Sequence, residues 1–495
     1  MRQWSRARGG FAVRTLLLGL IAMATAVAAP VFAAESDDAV APQVPAIVTV
    51  FGGLNEVSAG FGYQASAQIG KAIARVLHAA NTAIQLRTTA GGLLAQVPLT
   101  AFFGTSDASG DFDFPKVYCD ANAPALLRRC YVLAVQTKVS ARRSTIWLAV
   151  SRTVDPLNLG PAWCRYRIDG TRNPGTVNAS FPEFFGFGLG ADKLVITTNQ
   201  VRYTNKNFFT FATIRAMSKF ALANNAQACP PLPPVAFFQP TPALNSPTIF
   251  AIQPVLHLTP APSLGGANPA YLVNTVGSSF GPSQRYLIWR VVNLAPIGLQ
   301  GPFLVNGNFV YEAPDSSPQP GTLIKLDAGD ARVSGAAGFS RFIEVVHATK
   351  CFATRSCIRW IRFAPSAGGA AISGQTVFGG ASPGEFVYKP GVAVNRLGTS
   401  AVVYHASSAT QFLQSEARIK SFGFPAFLPP ELPVTPPGTC AYTPAANSFK
   451  TGEYPGVQTD PVDLTSFWAS SERATRIAGL PTCGWATRNV KMVGP

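Results

Sequence analysis

Charge is scarce in this chain. Asp, Glu, Lys and Arg together make 13% of 495 residues, and there are only 4 histidines and 4 methionines. Beyond residue 33 no apolar run approaches the roughly 20 residues that a spanning helix takes. The remainder is therefore expected to be soluble. No C-x-x-C pair and no histidine at ligand spacing accompany the eight cysteines, which argues against a structural zinc site. There is no G-x-S-x-G elbow for a serine nucleophile. GFGLGADK (Gly186 to Lys193) is glycine-rich, but it reads as an inner hairpin of tightly packed strands rather than a phosphate loop. No Lys/Arg block carries interleaved aromatics, and so no nucleic-acid partner is expected.

Gly (44), Pro (41) and Phe (34) are plentiful. That mixture suits many short strands joined by turns better than helices. Residues 1–33 read as a signal peptide: Arg2, Arg6, Arg8 and Arg14 precede an apolar stretch from Thr15 to Ala29, and Val31-Phe32-Ala33 offers small residues for cleavage. A membrane anchor is the alternative, for which that stretch is short. Residues 34–45 are expected to be a flexible leader. Export, extracellular or periplasmic, makes disulfides the expected use of cysteine. Eight cysteines allow 105 pairings. Proximity favours Cys119–Cys130 and Cys351–Cys357, Cys440–Cys483 would tie the last repeat, and Cys164–Cys229 remains. The net charge of +16 becomes +12 without the four arginines of the signal, which favours acidic partners such as anionic polysaccharide, lipid head groups or cell-wall polymers. It also serves solubility.

One short pattern recurs: two apolar residues, a polar or small one, then usually Ala, Ser or Thr. It appears as VLHA (His78), AVQT (Gln136), VITT (Thr197), LVNT (Asn274), VVHA (His347), VYHA (His405) and FWAS (Ala469), at intervals of 58 to 77 residues. Each closes a strand-like run that is apolar without clean alternation, as in strands covered on both faces. A second motif precedes most of them: DFPKV at Asp113, EFFGF at Glu183, EYPGV at Glu453, the variant YKPGV at Tyr388 and the weaker DARV at Asp330. A third run often follows, as in STIWLAVSRT, RYLIWRVVN, CIRWIRFAPS and CGWATRNVKM, and AWCRYRID supplies a fourth.

Seven units of up to four strands predict an all-β, seven-bladed β-propeller over residues 46–495. Six blades, or two β-sandwich domains, are the alternatives. The last repeat runs out after three strands, while AIVTVFGG (Ala46 to Gly53) has no repeat of its own. That segment is expected to complete the final blade and close the ring. The proline-rich stretches Pro230 to Pro242 and Leu428 to Gly438 read as crossings between blades.

With FPKVYCD and WLAVSRTVDP, PEFFGFGLGADKLVITTN, LDAGDARV, PGVAVNRLG, and GEYPGVQTDP with FWASSERA, the chain resembles a family of exported bacterial β-propeller proteins. These are distantly sialidase-like in architecture. The resemblance covers most of Val48 to Met492, and it implies fold and export rather than an activity. Glu183 and Glu453 stand where such proteins often carry Asp, and the first repeat lacks the acidic, proline-rich start. The S-x-D-x-G-x-T-W box of sialidases is missing.

In a propeller the second strand of a blade ends at the face where the inner strand begins. Asp113, Glu183, Asp330 and Glu453 would then crowd one channel mouth, with His347 and His405 at the same face. Trp468 and Glu472, which the family pattern matches, are expected to bracket a loop beside it. The histidines share their position with Gln136, Thr197 and Asn274, so the position asks for polarity rather than imidazole chemistry. No cofactor is expected. Calcium is the one candidate, since clustered carboxylates recruit cations, although LDAGD (Asp327 to Asp330) alone reads as a turn. Three functions fit: binding of a glycan, envelope polymer or protein through this face; glycan hydrolysis or lysis by two mouth carboxylates, Glu183 and Glu453 foremost; or a structural envelope role.

Overall fold

The structure, a computed structural model, describes residues 44–59, 65–105, 111–121, 123, 127–224, 228–240, 249–258, 268–277, 281–352, 354–443, 452 and 454–494. The expected signal and nearly all of the leader lie outside these residues. Seven small sheets form a seven-bladed propeller. Blade one runs outward from Gln68–Lys71 through Arg75–Ala80 and Ala83–Thr88 to Leu93–Pro98. Blades two, three, four and six repeat this four-strand order from Asp111, Ser180, Gln253 and Phe386. Blade five adds a two-residue strand, Leu256–His257, parallel to its Gly335–Phe339 strand.

Blade seven supplies Gly456–Thr459, Phe467–Arg476 and Cys483–Val493 from the end of the chain, and Ala46–Asn55 pairs antiparallel with Cys483–Val493 as its outer strand. The ring is therefore shut by its own first strand. Pairing removes an open edge at the last blade.

Why the sheets stack is visible in their burial. The second strands are buried on both faces: all nine residues of Ser400–Ser408 and all six of Ala270–Thr275 are buried. A lone four-stranded sheet cannot cover both faces, so each blade needs two neighbours. One apolar cluster fills each seam. Leu77, Leu86 and Trp147 join blades one and two, and Tyr131, Leu148 and Phe187 join two and three. At the closing seam Ile69 and Val76 of blade one meet Trp468 of blade seven, with Phe51 of the first strand against them.

Two expectations need correction. Pro230 to Pro242 and Leu428 to Gly438 are not only crossings: Ala236–Phe238 and Leu428–Pro433 within them are the outer strands of blades three and six. Proline lacks an N–H but is tolerated on an edge strand, where one side of the ladder faces water. A hairpin, Ser317–Gln319 with Thr322–Leu326, is an insertion that the repeat pattern does not contain. Gln319 exchanges hydrogen bonds with the Tyr442 backbone, at 3.0 and 2.7 Å, which docks the hairpin on the loop before blade seven.

All four expected disulfides are present, with Cα–Cα distances of 3.9 Å (Cys119–Cys130), 5.1 Å (Cys164–Cys229), 5.8 Å (Cys351–Cys357) and 5.8 Å (Cys440–Cys483). Among the described residues no helix is long and apolar enough to cross a membrane.

Candidate functional site

The inner strands of blades two, three and six begin with the same irregularity. Register slips between Asp113 and Lys116, between Glu183 and Phe185, and between Tyr388 and Gly391. The residue inside each slip has left-handed backbone: Phe114 (φ 49°), Phe184 (φ 42°) and Lys389 (φ 49°). A bulge bends its strand and re-aims a side chain, and a bulky residue at positive φ is rare. In these three blades the second motif is thus a bulge at the mouth of the channel.

Around that mouth lies a cavity of about 220 Å³ lined by Asp327, Asp330, Arg332, Ser334, Lys389 and Tyr454, among others. Ser334 and Tyr454 also line the narrow channel below, which the inner strands of the blades enclose together with Lys116. The mouth groups hold one another in place. Asp330 accepts from the Arg332 backbone N–H at 3.0 Å and from its Nε and Nη2 at 2.6 Å each. The Arg332 guanidinium stacks over Phe184 (4.5 Å) and Phe250 (4.7 Å). Phe184 meets Tyr454 edge-on at 5.3 Å, and Lys116 Nζ lies 4.3 Å from the Tyr454 ring centre. Such cation–ring contacts fix long side chains that would otherwise be mobile.

Five repeat motifs therefore send a cation or an aromatic ring to one place: Lys116 from DFPKV, Phe184 from EFFGF, Arg332 from DARV, Lys389 from YKPGV and Tyr454 from EYPGV. Sequence reasoning singled out the acids Asp113, Glu183, Asp330 and Glu453 at the head of four of these motifs and missed the residues behind them. The signal was available, since a cation or a ring follows the acid in DFPKV, EFFGF, DARV and EYPGV, and Lys389 follows Tyr388 in YKPGV.

Of the expected acids, Asp330 lines the cavity. Glu183 is exposed at the start of its strand, opposite Asn199. The Asp113 side chain and all of Glu453 lie outside the described residues, and the Glu183–Glu453 pair with them. Asp327 Oδ1 accepts from Gly329 N at 2.9 Å, so LDAGD is a turn.

The expectation for Trp468 and Glu472 is corrected. Both lie within the strand Phe467–Arg476, not around the loop after it. Trp468 is 1% exposed and donates from Nε1 to Asp460 Oδ2 at 2.9 Å, near the end of the blade remote from the mouth. There it borders an open cavity of about 590 Å³ with Lys71, Asp460 and Lys491. Glu472 is buried, accepts from Gly452 N at 2.6 Å, and lies 3.8 Å from His405 Nε2. Burial pushes its carboxyl up to about 7.

His347 and His405 reach the mouth end of their strands but lie beneath it. His347 Nε2 meets the Tyr286 hydroxyl of blade four at 3.0 Å, and its Nδ1 meets the Ala348 carbonyl at 2.8 Å. His78 Nε2 lies 3.3 Å from Thr487 Oγ1 of blade seven. Gln136 and Asn274 accept from the indoles of Trp147 (3.0 Å) and Trp289 (2.9 Å), and Thr197 donates to the Ile252 carbonyl at 2.5 Å. The shared polar position bonds strands and blades together. A buried polar group left unpaired would cost about 1–3 kcal/mol.

Burial lowers His78, His347 and His405 to about 3, against an unfolded value near 6.5. Below 6.5 the unfolded chain binds the extra protons, so these groups lose stability as pH falls. Glu416 and Glu472, raised by burial to about 7, bind protons in the folded state first and act oppositely between 7 and 4.5. The two effects offset until the glutamates saturate. Stability is expected to be nearly flat from pH 7 to 5. It should then fall between 4.5 and 3, by up to about 4 kcal/mol per pH unit from three histidines. Denaturant unfolding of chelator-treated protein at half-unit pH steps checks this, and a stability maximum at pH 4 would contradict it.

No protein-family model and no curated protein matches this chain. Solved structures with a similar course include a Hadza microbial sialidase, at 11% identity and TM-score 0.38, covering 72% of this chain and 65% of that one. A thermostable family-43 glycoside hydrolase has 11% identity and TM-score 0.30, covering 81% of this chain and 100% of that one. Trypanosoma rangeli sialidase has 8% identity and TM-score 0.35, covering 86% of this chain and 58% of that one. The chain spans less than two thirds of either sialidase.

Proposed function

We propose that this chain is an exported binding propeller that engages a carboxylate-bearing glycan at the channel mouth. One observation carries the reading: Arg332, Lys389 and Tyr454, from the inner-strand motifs of three blades, line one cavity, and Phe184 and Lys116 from two further blades pack against Arg332 and Tyr454. Aromatic faces suit the apolar faces of sugar rings. Asp327 and Asp330 offer acceptors to hydroxyls, and Lys389 and Arg332 offer donors to carboxylates. With the four arginines of the signal removed from the full-chain +16, a charge of +12 draws acidic polymers toward the site. Four disulfides agree with an oxidising compartment.

Hydrolysis by paired carboxylates has less support at this cavity. Asp330 is engaged by Arg332, and Asp327 by its own turn. Glu472, whose raised pKa would suit a general acid, is not among the residues lining the cavity.

The test is calorimetric titration of the mature protein with uronate-containing, sialylated and neutral oligosaccharides. The acidic sugars are expected to bind, and Lys389→Met and Arg332→Gln should each weaken them about tenfold or more while neutral sugars change little. Absence of binding by every acidic sugar, or binding indifferent to both substitutions, would reject the proposal.

A further inference from the structure

Away from the mouth, three carboxylates meet inside blade six. Glu385 and Glu416 are 3% and 7% exposed, and Glu431 is half-buried. One oxygen from each lies within 4.8 Å of the others. They arrive from separate pieces of chain: Glu385 just before the inner strand Phe386–Val394, Glu416 in Gln411–Lys420, and Glu431 in the outer strand Leu428–Pro433.

The neighbouring donors do not balance this charge. Arg418 is the one cation with a bond to the cluster among the described residues, and it is spent on Glu431, to which its Nε donates at 2.6 Å. The Tyr404 hydroxyl donates to the same Glu431 oxygen at 2.7 Å. Gln411 donates to Glu385 Oε1 at 2.8 Å, and Gln414 to Glu416 Oε1 at 2.6 Å. Glu416 Oε2 is fully buried and accepts no hydrogen bond. Three carboxylates and one guanidinium leave a formal charge of −2 in a largely dry site, with a bare oxygen in it.

We propose that Glu385, Glu416 and Glu431 hold a hard divalent cation of the calcium class, tying the crossing from blade five to the third and outer strands of blade six. Calcium takes six to eight oxygen ligands in irregular geometry, with water completing the shell where the protein does not. A divalent ion matches the residual charge and supplies the missing partner of Glu416 Oε2. Magnesium asks for smaller, near-octahedral geometry, which three carboxylates on separate segments are less suited to provide. The rival occupant is a proton on Glu416, whose carboxyl is held up near 7 by burial and by Glu385.

Protein treated with chelator and returned to pH 8, where that proton is disfavoured, is titrated with Tb³⁺ and then with Ca²⁺. One Tb³⁺ per chain is expected, with emission sensitised by the adjacent Tyr404 and displaced by Ca²⁺. Millimolar Ca²⁺ should raise the melting temperature by several degrees, and Mg²⁺ by less. Glu416→Gln and Glu431→Gln should each weaken Ca²⁺ at least tenfold. No saturable Tb³⁺ or Ca²⁺ binding by the wild-type protein would overturn the proposal. So would binding unchanged in Glu431→Gln, a substitution at the more exposed rim that keeps the test alive if Glu416→Gln fails to fold.

Discussion

A chain beginning at Glu56 is expected to lose the closed ring. The strand Ala46–Asn55 pairs along most of its length with Cys483–Val493, and Leu54 and Phe51 pack into the core at the last blade. Each buried large apolar side chain contributes about 1.5–3 kcal/mol, and each ladder hydrogen bond about 1 kcal/mol. The loss is therefore roughly 5 kcal/mol or more, a large share of a typical domain's stability. It also exposes an unpaired edge, so the truncated protein should self-associate. A synthetic peptide covering Val44–Asn55, added in trans, should restore a monomeric protein with a higher melting temperature, since strand addition needs only the missing segment. Leu54→Asp in the full chain should reproduce the defect. If the truncated protein melts within a few degrees of the parent, the strand is an accessory and not the closure.

The second large effect concerns Glu344. It lies between Ile343 and Val345 in the second strand of blade five and is buried. Its carboxylate accepts from Trp360 Nε1 at 2.8 Å, from Arg362 Nε and Nη2 at 2.9 and 2.6 Å, and from Ser400 Oγ of blade six at 2.5 Å. It joins two strands of one blade and the blade beyond. Glu344→Ala strands the largely buried Arg362 guanidinium, and removing one partner of such a pair costs about 3–5 kcal/mol. Arg362→Met in the same background should recover part of that, because it removes the orphaned charge. Urea unfolding of the two single variants and the double variant closes the cycle. Equal and additive losses would show that the pair does not couple.

Much of the architecture was legible because a propeller repeats its requirements. Each second strand must be apolar on both faces and must end in a group that bonds to its surroundings, and that is the pattern VVHA, LVNT and VITT record. Closure was legible from a shortage: three strands at the end and one spare at the start. What the repeat did not contain was not foreseen, namely the hairpin Ser317–Leu326, the parallel pairing of Leu256–His257, and outer strands inside proline-rich runs. Edge strands are loosely specified, since half their surface faces water and asks little of sequence.

The site was half legible. The acidic motifs did mark the mouth, but emphasis fell on their first residue. A bulge at Phe184 or Lys389 shifts which side chain turns inward, and a strand read from period alone does not show a bulge. His347, which bonds to blade four, drew the eye by its rarity, while Glu344 three residues earlier, which bonds to blade six, did not. The cluster of Glu385, Glu416 and Glu431 gave no local signal, because its members lie 15 to 46 residues apart and only the return of the chain across blade six assembles them.

The mouth is a single site only if the ring is shut, and amide hydrogen exchange followed residue by residue over Ala46–Asn55 tests this most directly. Amides of this strand bonded to Cys483–Val493 are predicted to exchange slowly and in step with the strand Phe467–Arg476, as parts of one cooperative sheet. Exchange within seconds, while the rest of the last blade stays protected, would contradict the account.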